Sequence, residues 1–122
     1  MSTIKADTIV ASDGSSPVTL TKQAALKGFQ SYDGTGTPTI GDSLNTSSLT
    51  DNGTGQYQPN FTNNYSSTDY SNTHGGVYTA SNGFYHWYLT VATSSIQHSF
   101  LASNGSYYDC GHVSGMQTGD LA

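Results

Sequence analysis

Leu44-Asn45-Thr46-Ser47-Ser48-Leu49-Thr50-Asp51-Asn52-Gly53-Thr54-Gly55-Gln56-Tyr57-Gln58-Pro59-Asn60-Phe61-Thr62 is a hairpin written in residue types. Asp51-Asn52-Gly53-Thr54-Gly55 collects the residues that accept positive φ and bond their own backbone, the strongest turn signal in the chain. The arm before it is polar and carries Leu44 and Leu49. The arm after it returns with Tyr57 and Phe61 two positions either side of Pro59, so both rings fall on one face of a strand.

Outward from this hairpin the pattern stays β. Phe29-Gln30-Ser31-Tyr32 alternates, Asp33-Gly34-Thr35-Gly36 is a turn, and Pro38-Thr39-Ile40 reads as a short edge strand, because proline cannot donate to a ladder. Residues 63–83 are rich in turn residues and read as loop. Phe84-Tyr85-His86-Trp87-Tyr88-Leu89-Thr90-Val91-Ala92 is the most apolar run and the expected central strand. Ile96 to Leu101 follows as its partner, Asn104-Gly105 turns, Tyr107 to Val113 is expected as the last strand, and 114–122 is weakly patterned. About six to eight short strands at this spacing predict an all-β fold, a small antiparallel β-sandwich of jelly-roll-like type over residues 29–122.

Residues 1–28 read as a separate unit. Thr3 to Val10 is β-branched, Ser12-Asp13-Gly14-Ser15 turns, and Val18-Thr19-Leu20 returns, giving an N-terminal hairpin. Residues 21–28 hold the one short helix candidate, capped by Thr21 and closed by Gly28. Neither piece has a core of its own, and an isolated hairpin is marginal in water. The unit is therefore expected to anchor on another chain and to bring copies together, through Ile4, Ile9, Val10, Val18, Leu20 and Ala24.

Composition excludes several classes. The 122 residues hold 3 Lys, 8 Asp and neither Arg nor Glu, for a net charge of −5, against 35 Ser and Thr, 14 Gly and 9 Tyr. Three cations cannot meet a run of phosphates, so nucleic acid is not an expected partner. No apolar run reaches the roughly 18 residues of a membrane-spanning helix, and no membrane insertion is expected. Helical bundles need Glu, Lys, Arg, Ala and Leu in numbers this chain lacks. Met1 to Asp7 has neither the basic start nor the apolar segment of a secretory leader. The expectation is synthesis in a cytoplasm, and, if the protein works outside, arrival there as part of something assembled inside.

Two stretches resemble a known family. Ser2-Thr3-Ile4-Lys5-Ala6-Asp7-Thr8-Ile9-Val10-Ala11, an Asp-Gly turn and Val18-Thr19-Leu20-Thr21-Lys22-Gln23 look like the N-termini of tailed-phage fibre and virion proteins of marine type. Phe29-x-x-Tyr32-Asp33-Gly34-Thr35-Gly36-Thr37, then Ile40-x-Asp42-Ser43 running through the hairpin to Tyr57, then Asn60-Phe61-Thr62 and Asp69-Tyr70, is similar to the distal domain of phage tail fibres. That family carries an aromatic strand with a Gly-Thr-Gly turn before a Ser-Ser-(Leu/Ile)-Thr-Asp-Asn-Gly-Thr-Gly hairpin. The resemblance covers roughly residues 2–70. It implies a noncatalytic, trimeric virion component, its N-terminus toward the particle, contacting other virion proteins through residues 1–28. Gln58-Pro59 departs from the Thr-Val usual there, and residues 71–122 match no such pattern. The shortness of the chain leaves tail fibre, head fibre and fibre tip open. Other readings are a capsid decoration or cement protein and a free carbohydrate-binding module.

Candidate chemistry is sparse. Cys110-x-His112 would place a thiol and an imidazole on one strand face, with further metal ligands having to come from His74, His86 or His98. Chance is the better account of that spacing, and no cofactor is expected. Cys110 lacks a nucleophile motif, and Asp13, Asp33 and Asp51 sit in turns, so no enzyme activity is expected. Tyr65, Tyr70, Tyr78, Tyr107 and Tyr108 are the candidates for contact with a host-surface glycan or protein, since a phenol offers a flat apolar face and a polar tip.

Overall fold

The structure, a computed structural model, describes residues 26–77 and 84–122, with backbone only for 84–89. The hairpin expected over 1–20 and most of the expected helix lie outside the described residues. The described end of that helix, Leu26 to Gly28, is extended. It belongs to the first strand, because in this register Gly28 is buried opposite Gln117. The folded unit thus takes in Leu26, and the boundary expected at residue 29 falls within a strand.

The eight strands are β1 (Leu26–Asp33), β2 (Thr39–Leu44), β3 (Thr46–Asp51), β4 (Gln56–Phe61), β5 (Ser71–Val77), β6 (Phe84–Val91), β7 (Ile96–Ala102) and β8 (His112–Thr118). They form two four-stranded antiparallel sheets, ordered β2-β1-β8-β5 and β3-β4-β7-β6. The sheets face each other as a sandwich. Tyr32 of β1, Tyr57 of β4, Phe100 of β7 and Val113 of β8 meet in one buried cluster with Cys110. Eight strands match the jelly-roll count, but the order does not match the topology. β1–β2, β3–β4 and β6–β7 are hairpins within a sheet, whereas a jelly roll sends most consecutive strands to opposite sheets.

The signature hairpin forms as β3–β4. Gly53 and Gly55 take positive φ, at 120° and 65°, and the Asp51 carboxylate accepts from the Gly53 N–H at 2.9 Å. Tyr57 is buried, and Pro59 and Phe61 follow it onto the same inner face. Pro59 has no N–H to give, and β4 meets β7 at only two rungs, Gln56 with Ser99 and Tyr57 with His98, before Pro59 is reached.

The polar arm expected as one strand from Leu44 to Thr50 is two strands in two sheets. Asn45 alone separates β2 from β3 and turns the chain from one sheet to the other at φ 58°. Asn tolerates this left-handed conformation, and both ends of its amide are used. Its Oδ1 accepts from the Asn63 N–H at 2.7 Å and its Nδ2 donates to the Asn63 carbonyl at 3.0 Å.

Three further expectations are corrected. Phe84–Val91 is an edge strand, not a central one. Period-two burial of β1, β4 and β8 places the centre elsewhere, on strands whose inner positions are Gly28, Gln30 and Tyr32, then Tyr57, Pro59 and Phe61, then Val113, Gly115 and Gln117. Residues 63–83 are not all loop, since Ser71–Val77 pairs along the whole of β8. The last strand is His112–Thr118, because Val113, Gly115 and Gln117 alternate inward across residues that looked unpatterned.

Asn45 generates a prediction. Asn45→Ala loses both amide bonds and puts a β-carbon residue into the left-handed region, whereas Asn45→Gly loses only the bonds. Asn45→Gly should therefore unfold at a higher urea midpoint, by about 1 kcal/mol in stability, and equal midpoints would show that the corner does not depend on its φ.

Candidate functional site

The strands sort the candidate residues to two ends. β4 starts beside Tyr108, whose backbone crowds Gly55, and finishes at Phe61, which packs edge-on against Tyr65 with ring centroids 5.0 Å apart. β1 starts at Leu26 on the Phe61 end and runs to Asp33 on the other. One end therefore receives the chain from residues 1–25. The far end carries the β1–β2, β3–β4 and β7–β8 connections.

Tyr65 and Tyr70 lie at the Leu26 end and are core residues, 1% and 9% exposed. They stack at 4.3 Å, and Phe61 and Ile96 complete the cluster. The Tyr70 hydroxyl donates toward the Ala92 and Ser95 carbonyls at 3.1 and 3.3 Å. Burial, with Tyr65 adding to it, pushes its pKa up to about 12. Both rings are chiefly core, because in a domain with few aliphatic side chains the phenols supply the apolar bulk.

Two depressions open on either side of Tyr70. One of about 240 Å³ is lined by Thr68, Tyr70, Asn72, Val91 and Ile96. The other, about 270 Å³, is lined by Ser66, Ser67, Asp69, Tyr70, Gly119 and Asp120. Both fall below the ~300 Å³ at which pockets begin to enclose small molecules. The loop between them is tied down by the 119–122 segment, with Ser66 N–H bonding the Asp120 carbonyl at 2.9 Å and Ala122 N–H the Asn64 carbonyl at 2.8 Å. Their hydroxyls, amide and two carboxylates suit a polar partner. Sequence reasoning missed them, since they join residues from three segments distant in the chain.

Tyr107 and Tyr108 stand at the far end. Tyr107 is 37% exposed and Tyr108 half-buried. Tyr108 N–H bonds the Phe100 carbonyl at 3.2 Å, and the Asn104 amide reaches the Tyr108 hydroxyl at 3.5 Å. Beside them, the Asp109 carboxylate accepts from Gly55 N–H at 2.7 Å and from the Tyr57 hydroxyl at 2.9 Å, joining the β7–β8 connection to the hairpin turn. On the third connection Asp33 accepts from the Thr35 N–H and hydroxyl, which hold its pKa below the usual carboxylate value. The result is a hydroxyl- and amide-rich platform with one exposed phenol. Tyr78 and the anchoring candidates Ile4, Ile9, Val10, Val18, Leu20 and Ala24 lie outside the described residues.

The structure separates Cys110 from His112. Cys110 is fully buried in the core and His112 is exposed on the outer face of β8. Cys110 precedes β8, so the strand-face argument does not reach it. Burial, then the Asp109 charge, pushes the Cys110 thiol up to about 11. His74 and His98 do come together, as parallel rings 4.5 Å apart rather than as converging ligands. Among the described residues no group of three or more His, Cys, Asp or Glu could hold a metal ion.

On the outer face of the first sheet, Phe29 pairs in register with both Leu44 and Met116. Leu44 and Met116 are 46% and 53% exposed, giving an apolar row near the Leu26 end.

No family model matches this sequence, and no curated protein or solved structure matches it either.

Two predictions follow from burial. The Cys110 thiol should resist thiol reagents at neutral pH in the native protein and react on unfolding; native labelling at the unfolded rate would contradict its environment. Tyr32, Tyr57, Tyr65 and Tyr70 all have pKa values raised above 10.0, chiefly by burial. The native state then holds protons that the unfolded chain releases. This stability is fully present below pH 10 and lost as pH rises above it, so tyrosinate absorbance and loss of β-structure should rise together in an alkaline titration.

Proposed function

We propose that this protein is a noncatalytic structural component of a tailed-phage particle, a fibre or fibre tip that adheres to the host surface. The observation that carries the reading is the Asp51–Gly55 hairpin. Its residues resemble the distal domain of tail fibres, and they close the β3–β4 turn at the far end of the sandwich. The residues before β1, 1–25, would anchor the chain on other virion proteins and bring copies together, as a trimer in the resembling family. The far end would then point outward, with Tyr107, Tyr108 and the neighbouring hydroxyls and amides meeting a glycan or protein. A surface with this few charges binds through hydroxyls, amides and phenols, which suits sugar hydroxyl groups and is insensitive to salt. The Leu44–Phe29–Met116 row lies close to where residues 1–25 lead in, and is assigned to contact with a second copy.

That same row favours a second reading, in which the protein decorates the head. An apolar lateral surface suits a shell-bound protein that stabilises the assembled state by binding it.

Gold-labelled antibody on intact particles, with copy number from a quantitative gel, separates the readings. Label at the tail or at unique vertices, in low copy, is the expected result. Label spread over the head in high copy would make it a decoration protein, and unlabelled particles would overturn both. Deleting residues 1–20 should leave a folded domain that no longer joins particles; normal incorporation would remove the anchor from those residues.

A further inference from the structure

Asn52-Gly53 and Asn104-Gly105 both lie at the far end, and all four residues are exposed. A further such pair, Asn82-Gly83, lies outside the described residues. Asn-Gly is a chemically special pair. Glycine has no Cβ to shield its nitrogen, which can attack Cγ of the preceding Asn. An N–Cγ bond forms, the Cγ–Nδ2 bond breaks, ammonia leaves, and a cyclic imide remains. Water then opens either imide carbonyl, giving aspartate or isoaspartate. The attack needs a base for the glycine N–H proton and an Asn side chain free to turn toward the nitrogen.

Asn52 meets both needs. The Gly53 N–H donates to the Asp51 carboxylate at 2.9 Å. A carboxylate in contact with the reacting proton is a positioned general base. The backbone around it is fixed, since Asn52 N–H donates to the Gln56 carbonyl and Gln56 N–H to the Gly53 carbonyl, both at 2.9 Å. The Asn52 side chain is held loosely. Its Nδ2 reaches Gln58 Oε1 at 3.5 Å, too far to fix an exposed amide.

Asn104 meets neither. Gly105 N–H donates to the Ala102 carbonyl at 2.9 Å, closing a β-turn in which Asn104 is the third residue. The nitrogen therefore faces a neutral carbonyl, which is a poor base. The Asn104 side-chain carbonyl is itself engaged, accepting from the Ser106 N–H at 3.0 Å. Attack there requires the turn to open first. The two pairs have the same sequence, and only their hydrogen bonds separate them.

We propose that Asn52 is a self-modification site of the native protein, with the Gly53 nitrogen as nucleophile and the Asp51 carboxylate as its base. The proton that Asp51 takes from Gly53 passes to the leaving amino group, so ammonia departs and Asp51 ends as it began. Water is the one co-reactant, and it enters when the imide opens. The product sets a new carboxylate beside Asp51, in a chain already at a net charge of −5. The isoaspartyl form also adds a methylene to the backbone. It lengthens the link between Asp51, paired with Tyr57, and Gly55, whose N–H donates to Asp109 at 2.7 Å. The hairpin tip thus gains charge and loosens with age.

The test is incubation of the full chain in mildly alkaline buffer, with peptide mass spectrometry reading amide-to-acid conversion at Asn52, Asn82 and Asn104 separately. The native protein is compared with the chain unfolded in guanidinium chloride and with Asp51→Asn. The side-chain carbonyl of that variant still accepts from Gly53 N–H, but it is not a base. A positioned general base contributes about 100-fold or more. Native Asn52 should therefore convert at least about tenfold faster than Asn104, and Asp51→Asn should slow Asn52 by about tenfold or more while leaving Asn104 unchanged. Unfolding should bring the two asparagines to similar rates. Native Asn104 keeping pace with Asn52, no conversion at Asn52, a preference that survives unfolding, or an unchanged Asn52 rate in Asp51→Asn would each overturn the site. If Asp51→Asn does not fold, the native and unfolded ratios of the two asparagines decide.

Discussion

The phenol of Tyr57 is the point through which four segments of this chain are held. Its ring stands edge-on to Tyr32 at 5.5 Å and tilted against Phe100 at 6.1 Å, so it touches both sheets. Its hydroxyl has one proton and lies 2.9 Å from both the Gly34 carbonyl and the Asp109 carboxylate, while accepting from the Cys110 N–H at 3.3 Å. Close aromatic pairs contribute about 0.5–1.5 kcal/mol each beyond area burial. The hydroxyl adds something area cannot, since it satisfies backbone groups of two connections that would otherwise be stranded beside the core. Gly34 is glycine because a Cβ there would stand 2.5 Å from the Tyr57 ring. The far-end connections owe their arrangement to this one buried group.

The same economy explains what was legible in the residues. Turn chemistry was local and strong at Asp51–Gly55, at Asp33–Gly36 and at Asn104–Gly105, and strands lie either side of each. Alternation placed Tyr57 and Phe61 on one face correctly. Apolarity, used as a guide to centrality, failed at Phe84–Val91, because the central strands β1 and β8 spend inner positions on Gln30, Gly115 and Gln117. Period two was present in Val113-Ser114-Gly115-Met116-Gln117, but its inner residues are small or polar and carry no hydrophobic signal. Asn45 was hidden for a different reason. A single left-handed residue between two extended runs has no composition to betray it, and only the partner at Asn63 makes it a corner.

The abundance of tyrosine was legible, but the placement of each phenol was not. Which phenols serve the core and which face outward depends on the two ends that the sheet order creates. Tyr65 and Tyr70 share a cluster with Phe61 and Ile96. Tyr107 and Tyr108 remain at the end away from Leu26, where a short hydroxyl-rich connection leaves one ring uncovered. The polar interior was visible only as individual Gln and His residues, since their grouping needs strand registers: Gln30 and His74 both lie opposite Gly115 on β8.

The direction in which the chain meets the sandwich also sets how it bears load. β1 leaves residues 1–25 at Leu26 and is flanked on both sides, by β2 and by β8, with rungs along most of its length. Antiparallel hydrogen bonds lie across the strands. A pull between the far-end loops and Leu26 acts along β1, so its rungs are sheared together rather than peeled one after another. A domain tethered at that end and gripped at the other would resist tension through its strongest mode, without an internal disulfide, since the chain has one Cys, and with only 3 Lys and no Arg to pair with 8 Asp.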